Sequence, residues 1–430
     1  MHYLFVSAMQ TQSRFPFILI TALFFLWGFA HNLNPILIPH LKKACELTDL
    51  QSALIDAAFF IGYFVTALPA GAFMKRFGYK RGIITGLLVF AAGAYLFYPA
   101  AETRQYEQFL FALFVIASGL TFLETAANPY ATMLGDPATA TQRLNLAQSF
   151  NGLAATLAPL AGGLFILSGR TISEADKTRL SPDAFDQLLA AEAETVQVPY
   201  LIIGTVVLLV AGIVAFTQLP EIKEEATTAT QPGKRSIWQE RNLLLGVLTQ
   251  FFYVGAQVCI TSFFIRFVGQ AADIDEKAGA YYLSVALLGF MLGRFVGTFL
   301  MRYIAPHRLL ALYAVINVGL LVLAVFVGGI ASVYALIGVG FFMSIMFPTI
   351  FALSIAGLGE QTKLGSSLLI MAIAGGALFP LIMGQVSDLT NIRLAYLIPA
   401  ACFLVVLYFG LTTSAKHTVG AGESLQPVAH

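Results

Sequence analysis

The sequence predicts an all-α membrane protein with 12 transmembrane helices in two pseudo-symmetric six-helix halves. Three observations predict it. The chain is too poor in charge to cover a water-facing surface, it holds twelve long apolar segments, and short motifs of its first half return in the second. Of 430 residues, 58% are hydrophobic and 11% charged, with a mean hydropathy of +0.79. A soluble domain carries about 25% charged residues. The formal net charge of +1 argues against a nucleic-acid partner. Cys45, Cys259 and Cys402 are widely spaced with no CxxC, so neither a metal cluster nor a disulfide framework is expected.

Segments of about 20 mostly apolar residues can cross a bilayer as helices. They fall near 17–41, 51–74, 82–100, 108–134, 144–168 and 199–219, then near 242–268, 277–300, 309–329, 332–356, 364–387 and 393–414. These are spans 1 to 12. The first apolar run continues past a signal peptide's length with no small-residue cleavage site, so span 1 is expected to be retained. Lys75, Arg76, Lys80 and Arg81 lie between spans 2 and 3, and Arg302 and Arg308 occupy the matching gap between spans 8 and 9. The positive-inside rule then puts both termini in the cytoplasm of a cell (inner) membrane.

Residues 220–240, PEIKEEATTATQPGKRSIWQE, read as a charged cytoplasmic linker between halves 1–219 and 241–430. Residues 169–198 read as a polar, acid-rich outer loop. FFLWG (24–28) returns as FFYVG (251–255), GAFMKR (71–76) as GTFLMR (297–302), and PLAGG (159–163) as PLIMG (380–384). The order is kept and the offset is nearly constant. Two parallel six-helix repeats point to a transporter with its site between the halves.

Of the 23 acidic residues, Asp56 and Glu124 are left inside spans, with Arg266 and Arg294 as basic counterparts. A charge near the bilayer centre costs about 2.5–3.5 kcal/mol on insertion scales, so such residues face a cavity or a partner. Glu124 sits in FLETAANPY (122–130), and Asn128, four residues on, shares its helix face. Pro129 then frees a backbone carbonyl. In RLNLAQSFNG (143–152), Gln148 and Asn151 share a face of span 5, at a depth similar to Glu124 across a short cytoplasmic turn. A carboxylate among amides suits a polyhydroxylated ligand, although amides also join membrane helices structurally.

Span 1 supplies WGFAHNLNPILIPH (27–40), where Asn32 and Pro35 share a face and Trp27 and His31 share a neighbouring one. Pro35 and Pro39 interrupt the backbone ladder, which is tolerated beside a cavity. His31 reads as a proton relay or a packing histidine. Trp27 reads as a sugar-stacking platform or as packing.

FLETAANPY, RLNLAQSFNG, ALPAGAFMKRFGYKRGI (67–83), VQVPYLII (196–203) and MFPTIFALSI (346–355) resemble the fucose:proton symporter family of the major facilitator superfamily. That family also takes in glucose, galactose and N-acetylglucosamine carriers, and the similarity runs from span 1 to span 11. The resemblance implies the major facilitator fold and a central monosaccharide site driven by a proton or sodium gradient. It implies that Glu124 is the membrane-embedded acid needed for transport, and that Asn32, Gln148 and Asn151 are sugar-facing amides. This chain departs from the pattern at three places. Pro35 stands where the fucose carrier has an aspartate, Phe347 where a sugar-facing tyrosine is expected, and Lys75 where the superfamily's loop acid is usual. Asp56, at a depth similar to Pro35, is expected either to replace the missing carboxylate in a two-acid proton route or to serve as a local outer-surface partner.

Protonation converts Glu124 from an acceptor into a donor and acceptor, so proton and sugar would bias one equilibrium. The reading is therefore an importer of fucose or another hexose by proton symport, expected as a monomer with no cofactor and no metal. Its alternatives are a sodium-coupled hexose or amino-sugar symporter and a non-transporting sugar sensor. No HExxH or GxSxG points to an enzyme. GLGEQTKLGSS (357–367) lacks the ending of a phosphate loop and reads as a tight cytoplasmic turn.

Overall fold

The computed structural model describes residues 2–47, 49–166, 179–219, 236–274 and 276–413. Most of the linker 220–240 lies outside the described residues, as do the side chains of Asp56, Pro35 and Pro39. Among the described residues the secondary structure is helical throughout, with no strand. Ten helices among the described residues are long and apolar enough to cross a membrane, and Phe15–His31 is a shorter apolar one. Span 5, Ala140–Phe165, has 26 residues. At about 1.5 Å per residue it is long enough to cross, but it is more polar than the others.

The helices break where backbone donors are missing or diverted. Span 1 runs His2–His31 and resumes as Asn34–Ala44. Asn32 Nδ2 donates to the Gly28 carbonyl at 2.7 Å, an acceptor its own backbone N–H also uses, and Pro35 has no N–H to give. Span 10 runs Gly329–Met343 and Met346–Ile355. There Pro348 leaves the carbonyl of Ser344 without its usual helical donor. Span 4, Tyr106–Met133, carries Pro129 inside it and remains one helix.

By internal contacts the chain forms two compact units. One comprises residues 18–127 and 150–221; the other comprises 1–17, 128–149 and 222–430. In the first, span 3 (Tyr79–Thr103) packs along span 6 (Gln197–Phe216). Phe97 stacks on Tyr200 with centroids 3.7 Å apart. Spans 3 and 4 approach closely at Gly119, where a Cβ would come within 2.5 Å of the Phe90 nitrogen. In the second unit, span 9 (Pro306–Val327) packs along span 12, whose main helix is Leu397–Thr412. The 3–6 pairing of one half is thus repeated as 9–12 in the other, as the recurring motifs predict.

Two expectations are corrected. The outer segment 169–198 is not all loop, because Pro182–Glu194 is a helix. Ser181 caps it by accepting from Ala184 N, with Pro182 and Asp183 in the first turn. Its Glu192 is buried, 2.7 Å from Lys43 Nζ and 3.4 Å from His40 Nδ1. Arg266, in contrast, is not an interior charge. Span 7 breaks at Phe263, and Arg266 on the following helix Phe264–Ala272 is 60% exposed, 4.0 Å from Asp388.

Candidate functional site

Glu124 is 8% exposed on span 4. Its Oε1 accepts a 2.6 Å hydrogen bond from the hydroxyl of Tyr63 on span 2, Asp49–Phe77. A charged-group hydrogen bond contributes about 1.5–3 kcal/mol, more than a neutral pair. Tyr63 packs on Phe59, centroids 5.4 Å apart, and Phe59 packs on His31 at 4.9 Å. Tyr63 was not singled out from the sequence. Its signal was its spacing of four from Phe59, hidden among 16 tyrosines and 37 phenylalanines. Beside Glu124, the buried Thr125 hydroxyl has no hydrogen-bond partner among the described residues. We expect Tyr63→Phe to slow gradient-driven uptake about tenfold, the size of one lost charged hydrogen bond. Initial rates in proteoliposomes check this.

In the same unit, Asn151 Nδ2 donates to the Phe24 carbonyl at 3.2 Å. The contact requires Gly28, because a Cβ there would lie 2.6 Å from Asn151 Nδ2. Asn151 is half-buried, as is Asn32. Trp27 is 2% exposed and packs on Phe24 with centroids 4.1 Å apart. His31 is exposed at the break of span 1.

In the other unit, Gln148 Nε2 donates to Asn128 Oδ1 at 3.1 Å, and both residues are buried. Asn128 lies one helical turn beyond Glu124 in span 4. The backbone carbonyl of Gln148 accepts from Arg294 Nη1 at 2.6 Å, while Arg294 Nε donates to the Ser344 carbonyl at 3.0 Å. That carbonyl is the one Pro348 leaves free. Arg294 also lies over the Phe290 ring, 4.6 Å from its centroid. Among the described residues no carboxylate lies within ion-pair distance of it. One turn before Gln148, Asn145 Nδ2 reaches Thr349 Oγ1 at 3.1 Å, and Gln142 Nε2 reaches the Thr298 carbonyl at 3.2 Å. Phe347 is half-buried and stacks loosely on Phe351, 6.5 Å between centroids. Helical spacing paired Asn128 with Glu124 and Gln148 with Asn151; the Gln148–Asn128 bond and the clamp by Arg294 were not legible.

In the first unit a buried carboxylate with a hydroxyl donor can exchange a proton, and in the second the Gln148 and Asn128 amides can hydrogen-bond a neutral polyol. No group of three or more potential metal ligands occurs among the described residues.

Comparison with known proteins decides the family. Residues 17–369 match the Major Facilitator Superfamily. The chain belongs to this superfamily. It is a multi-pass membrane transporter, not an enzyme. Among its superfamily relatives, the glucose/galactose transporter of Brucella abortus (strain 2308) is 43% identical over 409 residues, 94% of this chain and 96% of the relative. The L-fucose-proton symporter of Escherichia coli (strain K12) is 43% identical over 418 residues, 95% of each chain. A crystal structure of the E. coli fucose:proton symporter matches with TM-score 0.85 and 41% identity, over 94% of this chain and 99% of that one.

Proposed function

We propose that the protein imports a monosaccharide, fucose or another hexose, by proton symport. The observation that carries this reading is Glu124, a buried carboxylate hydrogen-bonded to Tyr63 in the middle of an apolar span. Protonation turns it into a hydrogen-bond donor, so the hydrogen bonds it offers a bound sugar depend on its proton. Asn32, Gln148, Asn151 and Asn128 supply amide donors and acceptors for hydroxyl groups. About five hydrogen bonds at roughly 0.5–1.5 kcal/mol net each reach sub-millimolar affinity. The named activities of the Brucella and E. coli relatives support both the sugar and the proton.

Phe347 offers no hydroxyl, so the sugar is recognised there by shape and apolar contact alone. That weakens the case for fucose relative to other hexoses. Transport proceeds by alternating access of the six-helix halves 1–219 and 241–430, joined by 220–240. The termini lie in the cytoplasm of the inner membrane, and the working unit is the monomer.

The test is proton movement itself. Adding sugar to lightly buffered, sodium-free proteoliposomes with no imposed gradient should make the outside medium alkaline, as protons enter with sugar. Sugar entry without a pH change, rising with added sodium, would replace this reading with sodium symport. Saturable sugar binding without entry would replace it with a sensor.

A further inference from the structure

The motif GTFLMR (297–302) plays no part in the sugar site, yet it forms one wall of a cavity of about 360 Å³. The other wall is the start of span 5. The polar rim consists of Arg143, Arg302, Thr139, Gln142 and Thr298, and Phe295, Phe299 and Leu146 form the apolar side. Both guanidinium groups are positive, and no acidic residue lines the cavity. The nearest acid in sequence, Asp136, is close enough for its charge to act on Arg143 but lies outside the cavity lining, its carboxylate accepting from the backbone N–H of Ala138 at 2.9 Å.

Arg143 is fixed in place. It donates to the carbonyls of Ala131, Thr132 and Asp136 and to the Thr139 hydroxyl, acceptors that hold its position without cancelling its charge. Arg302 is exposed and lies over the Phe299 ring, 5.6 Å from its centroid. Among the described residues it has no carboxylate partner. From the cavity an apolar strip continues over span 8, with Phe295 38%, Val296 42%, Phe299 52% and Tyr303 75% exposed.

We propose that this cavity binds the phosphate of an anionic phospholipid between Arg143 and Arg302, with an acyl chain lying along Phe295 and Phe299. Arginine's planar fork suits phosphate oxygens. Basic pockets between helices on the cytoplasmic side of a membrane protein take lipid headgroups. A small soluble phosphate would satisfy the two arginines but make no contact with the phenylalanine wall, which on a membrane span faces acyl chains. The apolar wall therefore selects a ligand with a tail. A lipid held here bridges spans 5 and 8 beside the Gln142 to Thr298 hydrogen bond, so it ties together the same two helices that Arg294 joins. The site does not depend on which solute is carried.

The experiment titrates delipidated, full-length protein in neutral detergent with short-chain phosphatidylglycerol, short-chain phosphatidylcholine and glycerol 3-phosphate, reading bound ligand by native mass spectrometry. Phosphatidylglycerol should bind most tightly. Arg302→Gln should weaken it about fivefold, as expected for one basic residue near a lipid phosphate, and leave phosphatidylcholine unchanged. Phe299→Ala should weaken both lipids. Arg308→Gln, an equal charge change outside the cavity, should leave binding as in the wild type. Equal binding of the two lipids, or equal losses in Arg302→Gln and Arg308→Gln, would overturn the site. Glycerol 3-phosphate binding as well as phosphatidylglycerol would overturn the lipid and leave a soluble phosphate ligand.

Discussion

Glu124→Gln is expected to abolish sugar accumulation while leaving sugar-for-sugar exchange measurable. The amide keeps the size of the side chain and permanently offers both donor and acceptor atoms, as the protonated acid does. It cannot release a proton. A membrane potential of 100 mV is worth about 2.3 kcal/mol per charge moved, enough to concentrate a neutral solute about 50-fold with one proton per sugar. In the variant that ratio should fall to one. Exchange needs no net proton release, so counterflow of labelled sugar should persist. Accumulation at the wild-type ratio would remove Glu124 from the coupling scheme. Loss of exchange together with accumulation, in a protein that still folds and binds sugar, would assign it to helix movement instead.

Arg294→Met is expected to weaken sugar binding about tenfold or more. The guanidinium joins the backbone of span 5 at Gln148 to the break of span 10 at Ser344. Removing it frees two carbonyls, at roughly 1–3 kcal/mol for each buried acceptor left without a donor. Part of that cost is offset, because a buried cation with no carboxylate partner is itself expensive to desolvate. The fold should therefore survive while Gln148 loses its fixed position. Arg294→Lys should recover little, since one ammonium cannot reproduce two separately directed N–H groups. Titration of sugar binding by calorimetry reads the effect. Unchanged affinity in Arg294→Met would mean that Gln148 is positioned by its bond to Asn128 alone.

The fold was legible because lipid imposes a strong sequence signal: long apolar segments, basic cytoplasmic gaps and a repeated order of motifs. Glu124 was legible for the same reason, as a charge in an apolar run stands out. Its donor Tyr63 was not, because one aromatic among many carries no mark of the carboxylate it will meet 61 positions along the chain. Arg294 stood out as an interior charge, but its partners are backbone carbonyls, which have no residue identity to read. Glu192 was hidden in the opposite way. It sits among other acids in a segment that looks solvent-exposed, and only the capped helix Pro182–Glu194 turns it toward Lys43 and His40. Arg266 misled because an apolar window does not reveal that the helix breaks at Phe263.

The central claim is that a proton gradient drives a monosaccharide into the compartment. The most direct measurement is accumulation of labelled fucose, glucose, galactose and N-acetylglucosamine in proteoliposomes, under an imposed proton gradient and, separately, an imposed sodium gradient. The account predicts accumulation of at least one of these sugars with the proton gradient alone, abolished by a protonophore. Accumulation with sodium alone, or of none of these sugars under either gradient, would contradict it.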